Sequence, residues 1–322
     1  MALALDPTPS RAAGVTDFDE REEISTAVTD ASAQHSAGSR RKGEVEPVNR
    51  AILLRIDGVS AGEVVSVREL PFVIGRRPQC NLVIDDPDVS RTHSRVVLDA
   101  GRHIIEDYGS RNGTFVEGLR VQRHRLFDGC FVQLGPHVGF RFMLVDERRE
   151  SVLKQLYLSS VRDALTGLFN RRYFDIRLSG ELAYARRHHT DVAFLLVDID
   201  FFKAVNDSYG HAVGDGVLKH VGRVLARQLR VEDVVARVGG EEFAILLRGT
   251  DITGAARLGE RLRAAVSQGA AVVDDSLAPV TVSVGCCALS ELKDPDGAAL
   301  FARADERLYA AKRGGRNRVV AS

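Results

Sequence analysis

The sequence lacks the features that announce several common classes of protein. It holds four cysteines in 322 residues, Cys80, Cys130, Cys286 and Cys287, and none shows the C-x-x-C spacing of a zinc or redox site. Reduced thiols of a cytosolic protein account for them. Long apolar runs are missing too: the longest notable one, Ala193 to Val197, falls far short of a membrane span. The opening MALALDPTPSR has no basic stretch followed by an apolar core, so no secretory leader is expected there. Neither sign of charge is in excess, because Lys plus Arg and Asp plus Glu both total 44. That balance gives no bulk attraction to nucleic acid or to a membrane surface, and it leaves room for a local anion site. No repeat of fixed period is found. The expected location is the cytoplasm.

What is present is an ordinary globular mixture, 44% hydrophobic and 27% charged, over a length that favours two domains. Residues 1–47 carry few large apolar side chains, so burial cannot offset their ordering entropy and a disordered tail is expected. From Ala51 to Val145 short apolar or alternating runs recur at 51–56, 64–67, 72–75, 82–84, 95–99, 103–107, 131–135 and 139–145, with turn-forming clusters between them. Short strands at that spacing predict an all-β sandwich or barrel over 50–145. Residues 146–162 read as a linker helix, where Val145, Val152, Leu153, Leu156 and Val161 form a heptad-like seam able to pair with a second copy. Beyond it, strand-like runs at 192–198, 234–238, 243–247 and 280–285 alternate with helical stretches near 214–229, 252–267 and 297–313. That alternation predicts an α/β domain over 163–320.

Two acidic elements stand out in the second half. The apolar strand ends in Asp198-Ile199-Asp200, with Lys203, Asn206 and Asp207 shortly after. Side chains two apart on a strand share a face, so the two aspartates can converge at the strand end and offer oxygen ligands to a hard divalent cation. Lys203 can then meet a phosphate as a point charge. A solvated acidic strand end is the plainer explanation of a lone D-x-D. The second element, Gly239-Gly240-Glu241-Glu242, has the form of a β-hairpin turn ending in two carboxylates. Together the elements suit a cation holding a triphosphate, with a deprotonated Glu placed to take a proton from an attacking hydroxyl.

Five ordered motifs turn this pattern into a resemblance: DALTGLFNRR (163–172), DIDFFKAVND (198–207), GHAVGDGVL (210–218), RVGGEEF (237–243) and ADERLYAAKRGGRNR (304–318). Half of the chain, Asp163 to about Val319, resembles the GGDEF family of diguanylate cyclases. The resemblance implies a central antiparallel sheet flanked by helices, as in nucleotidyl cyclases and polymerase palms. It implies that Asp198, the backbone carbonyl of Ile199 and Glu241 hold magnesium, or manganese in its place. Glu241 is then the implied proton acceptor, with Glu242 the next candidate. Asn206 and Asp215 match guanine-reading positions, His211 lies in the same pocket, and Lys203, Lys312 and Arg316 match phosphate contacts. Glu stands where the family name has Asp at the third motif position and keeps the carboxylate. The implied reaction joins two GTP into cyclic di-GMP and two pyrophosphates, which requires two domains facing each other as a homodimer.

Arg230 and Asp233 stand at the spacing of the family's inhibitory R-x-x-D product site. An Arg fork suits phosphate and the guanine Hoogsteen edge, and an Asp suits guanine N–H groups. An exposed helix-end ion pair is the plainer explanation of those two residues alone. Arg261 or Arg263 is a further candidate, supplied from a neighbouring domain.

In the β region Gly75-Arg76, Ser90-Arg91-Thr92-His93 and Ser110-Arg111-Asn112-Gly113-Thr114 stand in the order and spacing of a forkhead-associated (FHA) domain, a β-sandwich that reads phosphothreonine through its loops. The resemblance covers about Arg50 to Val145. A phosphothreonine carries nearly two negative charges and three acceptor oxygens. Arg76 can clamp them, Ser90 can donate a hydroxyl bond, Arg91 and Asn112 match positions on the peptide backbone, and Arg111 adds charge. His93 is expected to brace the loops inside the fold. Thr8, Thr16, Thr26 and Thr29 are acceptor threonines in the chain's own tail, and a separate phosphorylated partner is the other option. The alternatives to an active cyclase are an inactive GTP- or cyclic di-GMP-binding scaffold and a cyclase with a different nucleotide choice.

Overall fold

The computed structural model describes residues 49–322, apart from 59, 231, 270, 274, 275, 279 and 295. The tail over 1–47 and its four threonines lie outside the described residues.

Among the described residues, eleven strands build the front region: β1 (Arg50–Arg55), β2 (Val64–Ser66), β3 (Phe72–Gly75), β4 (Leu82–Val83), β5 (Ser94–Asp99), β6 (Arg102–Asp107), β7 (Thr114–Val116), β8 (Leu119–Val121), β9 (Arg123–Arg125), β10 (Phe131–Leu134) and β11 (Val138–Val145). They form one sheet in the order β2-β1-β11-β10-β7-β8 and a second in the order β4-β3-β5-β6-β9. Alternation sends one face of each sheet inward. Leu53, Val132, Phe140 and Phe142 from the first sheet meet Phe72, Ile74, Val96 and Ile105 from the second in one core. The expected sandwich is therefore present. Strands β7, β8 and β9 were not expected. Each is three residues long, too short to show a period, and only pairing with β10, β7 and β6 makes it a strand.

Helix α1 (Glu147–Val161) starts at Asp146, whose carboxylate accepts the Arg149 N–H at 2.7 Å. The expected apolar seam does not stay on one face. Leu153 packs with Ile52, Val64 and Val145 of the sandwich, whereas Val152 and Leu156 are exposed. The helix is fastened by Glu150, a buried carboxylate that accepts from Lys154 (2.6 Å), Arg50 (3.3 Å) and the Ser66 hydroxyl. Burial opposes the charge on Glu150, but these partners outweigh it and hold its pKa down at about 2.

The second region contains β12 (Phe169–Asn170), α2 (Arg171–His188), β13 (Val192–Ile199), α3 (Phe202–Tyr209), α4 (His211–Arg227), β14 (Val234–Arg237), β15 (Glu242–Arg248), α5 (Ile252–Gln268), β16 (Ala271–Val273), β17 (Ser276–Ala278), β18 (Val282–Ala288), α6 (Gly297–Arg313) and β19 (Val319–Val320). Its main sheet runs β12-β14-β15-β13-β18-β19, with an antiparallel centre and parallel pairings at both edges. β13 is the central strand and is buried throughout. Its residues alternate between two cores: Ala193, Leu195, Val197 and Ile199 meet α4 and α5, while Val192, Phe194 and Leu196 meet α2 and α6. Each of the Val, Leu, Ile and Phe side chains among them contributes about 1.5–3 kcal/mol by burial. α6 lies so close to β18 that a Cβ on Gly285 would sit 2.1 Å from the Ala304 carbonyl oxygen.

Helices α2 and α3 are absent from the sequence expectation. The buried face of α2 is Phe174, Leu178, Glu181, Leu182 and Ala185, and Gly180 with several arginines hides its 3.6-residue period.

Candidate functional site

The even-numbered face of β13, continued past Phe194 and Leu196, carries Asp198 to the carboxyl end of the strand. Across from it, β15 begins at Glu242, paired in register with Asp198, and the Ile199 N–H reaches the Glu241 carbonyl at 3.3 Å. The aspartate-ending strand and the twin-glycine bend are thus neighbours. Directly opposed carboxylates repel, and a cation relieves them. α6 supplies one: Lys312, one turn beyond the buried Leu308, places its ammonium 2.8 Å from Asp198 Oδ2.

Electrostatics at this end are dominated by desolvation. Asp198 is 3% exposed. Burial raises its carboxyl to about 6, Lys312 pulls it down, and Glu241 and Glu242 push it up again. Burial also raises Glu241, with Lys312 opposing and Glu242 reinforcing the shift. A carboxylate cluster that burial leaves short of positive charge, beside the Ile199 carbonyl, fits a hard divalent cation. Among the described residues no group of three or more His, Cys, Asp or Glu side chains converges on one point. The fit is therefore two side chains and a backbone oxygen, and the four converging carboxylates that the acidic motifs invite do not occur. Asp200 is buried and engaged by Thr281, Ser283 and the Asn317 N–H.

The hairpin is present, but its glycines serve another purpose than a left-handed turn. Neither Gly239 nor Gly240 has a positive φ. A Cβ on Gly239 would lie 2.4 Å from Glu242 Oε2, while a Cβ on Gly240 would meet nothing within 4 Å. One glycine lets Glu242 fold back over the bend, and the other leaves open space at its tip. Arg237 braces the bend by donating to the Gly240 carbonyl at 2.7 and 3.1 Å, and its third nitrogen meets Asp163 at 3.3 Å. Neither role was foreseen, although both residues lie within quoted motifs.

The α3–α4 hairpin brings the other pocket residues together. Gly210, at φ 83, separates the helices, and its N–H bonds the Asn206 carbonyl at 2.9 Å. The Asn206 side chain fills the space where Gly214 has no Cβ: its Oδ1 would be 1.8 Å from one. That places Asn206 against the turn of helix bearing Asp215. Lys203, His211 and Asp215 are exposed. Arg316 lies with its guanidinium 4.3 Å over the Phe201 ring.

Arg230 and Asp233 are joined at the loop before β14, where Asp233 Oδ2 accepts the Arg230 N–H at 2.9 Å. With Arg257 and Arg261 they line a cavity of about 300 Å³. Arg261 lines this cavity from within the same chain, and its guanidinium holds the Gln228 carbonyl at 2.8 Å. Arg263 points elsewhere, to Glu260 and Asn317. Arg257 was not foreseen. Its only sequence signal is its position one helical turn before Arg261.

At one end of the sandwich three loops are tied together. The Arg76 N–H bonds the Ser90 carbonyl at 3.0 Å, and Ser90 Oγ accepts the Arg111 N–H at 3.0 Å. Asn112 Nδ2 donates to the Asp88 carbonyl at 2.8 Å. Buried His93 accepts the Ser90 N–H on Nδ1 at 3.1 Å, so Nε2 carries the proton and donates to the Gly113 carbonyl at 3.1 Å. It braces the loops as expected. Arg76, Arg91 and Arg111 remain exposed beside this frame.

Comparison with known proteins gives two family matches: a diguanylate cyclase GGDEF domain over residues 160–318 and an FHA domain over 72–135. The diguanylate cyclase DgcP of Pseudomonas aeruginosa is 41% identical over 181 residues, 56% of this chain and 25% of DgcP. The response regulator PleD of Caulobacter vibrioides is 42% identical over 163 residues, 50% of this chain and 36% of PleD. The chain thus spans about a quarter to a third of the length of these relatives. The crystal structure of the coiled coil and GGDEF domain of DgcB from Caulobacter crescentus, in complex with c-di-GMP, superposes with a TM-score of 0.50 at 35% identity, covering 54% of this chain and 92% of that one. Among the described residues no helix is long and apolar enough to cross a membrane.

Proposed function

Because the chain belongs to the GGDEF family and carries an FHA domain ahead of its GGDEF domain, we propose that it is a diguanylate cyclase converting two GTP into cyclic di-GMP and two pyrophosphates. The observation that carries this reading is the pairing of Asp198 with Glu242 across β13 and β15, which sets the buried Asp198 carboxyl, the Ile199 backbone and Glu241 side by side. Asp198, the Ile199 carbonyl and Glu241 would hold the magnesium. When bound, the ion neutralises the triphosphate and polarises the phosphorus–oxygen bonds.

Lys312 then exchanges Asp198 for a phosphate oxygen, and Arg316 and Lys203 add two more positive charges at the triphosphate. Asn206 and Asp215 accept and donate along the guanine edge, with His211 in the same pocket. The 3′-hydroxyl of the GTP in the opposing domain attacks the α-phosphorus, an O–P bond forms, the α–β bridge breaks, and pyrophosphate leaves. Glu241 takes the hydroxyl proton, and Glu242 is the second candidate for it. Two such transfers close the ring, so turnover requires two chains with their sites face to face. Positioning and charge neutralisation supply most of the acceleration.

The cavity at Arg230 and Asp233, with Arg261, takes the product and restrains turnover. At the sandwich, Arg76, Ser90, Arg91, Arg111 and Asn112 take a phosphothreonine segment, from a partner or from the chain's own tail, and that binding sets the pairing of cyclase domains. Incubation of the purified chain with GTP and magnesium tests the reading. Cyclic di-GMP as the product supports it, whereas tight GTP binding without turnover identifies a binding scaffold instead.

A further inference from the structure

Asp200 is the acidic residue of the strand-end motif that the metal set leaves without a role. It is 4% exposed, and both of its oxygens are engaged. Oδ1 accepts the Ser283 hydroxyl at 2.7 Å, and Oδ2 accepts the Thr281 hydroxyl at 2.7 Å and the Asn317 N–H at 2.9 Å. Its own N–H bonds the Thr281 carbonyl at 2.9 Å. Three of about four acceptor positions on the carboxylate are thus filled by neutral donors. Asp198, two residues earlier, is met by an ammonium instead. The two halves of the D-x-D motif are built for different partners.

What Asp200 holds is the turn after α6. Gly315, Arg316 and Asn317 have φ of 110°, 59° and 46°, three consecutive residues in the left-handed region, two of them with a Cβ. Each non-glycine residue there is strained, and surrounding bonds must hold it. The bonds are visible: Arg316 N–H to the Ala311 carbonyl (3.1 Å), Asn317 N–H to Asp200, and Asn317 Oδ1 from Arg263 (2.9 Å). Beyond the turn, the Val284 N–H donates to the Arg318 carbonyl at 2.9 Å. Phe201, next to Asp200 and itself at φ 57°, carries the Arg316 guanidinium on its ring. One carboxylate therefore joins the end of β13, the start of β18 and the Arg316 turn.

We propose that Asp200 is the positioning residue for Arg316, fixing that guanidinium beside the nucleotide phosphates, and that it is not a cation ligand. The inference rests on the reading of this end of the sheet as a magnesium–GTP site. In Asp200→Asn the amide oxygen can still accept from Thr281 and Asn317 while its NH₂ donates to the Ser283 hydroxyl, so the anchor survives without the charge. In Asp200→Ala nothing replaces it.

The test uses the full chain, with GTP binding followed by equilibrium dialysis, cyclic di-GMP formation, and hydrogen exchange of the segment 312–319. Asp200→Ala is expected to weaken GTP binding about tenfold, as the loss of one charge-assisted contact does. Arg316→Ala should do the same, and the double variant should be no weaker than either alone. The segment 312–319 should exchange faster in Asp200→Ala and not in Asp200→Asn. The magnesium midpoint of Asp200→Asn should move less than about threefold, while that of Asp198→Asn rises by at least tenfold. Should Asp200→Ala fail to fold, Ser283→Ala loosens the same carboxylate and should weaken GTP binding in the same direction. A magnesium midpoint that rises in Asp200→Asn as far as in Asp198→Asn overturns the inference. So do losses that multiply in the double variant, or unchanged exchange in Asp200→Ala. Absence of cyclic di-GMP from an otherwise GTP-binding chain overturns the proposed activity and leaves the positioning role standing on the binding and exchange results.

Discussion

The two sites proposed to take phosphate are built in opposite ways. At the sandwich loops the frame is neutral and satisfied: His93, Asn112 and Ser90 hold backbone groups, and Arg76, Arg91 and Arg111 stay in water. At the sheet end of the second region the charges themselves are buried, with Asp198 lifted to about 6 and Lys312 as its counter-ion. Exposed arginines meet a dianion directly and lose little hydration in waiting for it. Buried carboxylates meet an anion only through a cation, and their desolvation is what drives that cation in. The sandwich loops are therefore frugal with strain, whereas the β13–β15 end keeps its carboxylates short of positive charge.

The largest expected effect separates these designs by chemistry. Asp198→Ala should lower cyclic di-GMP formation by about a thousandfold, because no neighbouring group substitutes for a buried metal ligand. Arg76→Ala should weaken a phosphothreonine peptide by only about thirtyfold in a calorimetric titration, since Arg91 and Arg111 still face the same loops.

Packing gives the next contrast. Both regions use glycine where two backbones meet most closely: a Cβ on Gly285 would lie 2.1 Å from the Ala304 carbonyl oxygen, and one on Gly75 would lie 2.6 Å from the Arg91 carbonyl oxygen. Gly285→Ala should cost about 3 kcal/mol, because a strand and a helix must separate, and Gly75→Ala about 1–2 kcal/mol, because a loop can yield. Denaturant midpoints of the two variants check the order.

The pH responses should have opposite signs. Burial lowers the His93 pKa from 6.5, so the unfolded chain binds more protons in that window. The stability His93 contributes is present above about pH 6.5 and is lost as pH falls. Asp198 is raised from 3.8 to about 6, so the folded chain binds more protons between those values. Its contribution, on the order of 2–3 kcal/mol, is present below about pH 4 and is lost as pH rises towards 6. Hydrogen exchange resolved by segment, without metal, should therefore show the sandwich loops tightening and the β13–β15 end loosening as pH rises from 4 to 7. Magnesium, which binds only the ionised carboxylate, should remove the second trend and leave the first.

The smallest effect concerns a contact between the regions. Arg248 forks onto buried Glu181 at 2.7 Å twice and also reaches Asp85, whose side chain is 62% exposed. Asp85→Ala should change stability by no more than about 0.5 kcal/mol, as exposed ion pairs do. A thermal midpoint lowered by more than a few degrees would mean that the two regions lean on each other through this arginine.

Much of this architecture is legible from residue order alone, and the reason differs by element. β13 reads as a strand because a run of apolar residues too short for a buried helix ends in acids. α6 reads as a helix because Asp296 caps it, Leu300, Ala304 and Leu308 repeat on one face, and Lys312 closes it. The sandwich reads from alternation. By contrast, β7 to β9 and α2 were hidden, the strands by shortness and the helix by a charge-rich surface interrupted by Gly180. Their conformation is set by neighbours rather than by their own pattern.

Residue identity and spacing by themselves determined which side chains the proposed sites draw on: the acids at 198 and 241–242, the basic residues at 312 and 316, and the loop residues from Arg76 to Asn112. Their spacing along the chain could not tell a metal ligand from an anchor, because Asp198 and Asp200 share a face on paper. Only the folded sheet, by setting Lys312 against one and the Thr281, Ser283 and Asn317 donors against the other, gave them different work. Hydrogen bonds are directional and burial is local, so a carboxylate's role is decided by which partners the packing of distant segments delivers to it.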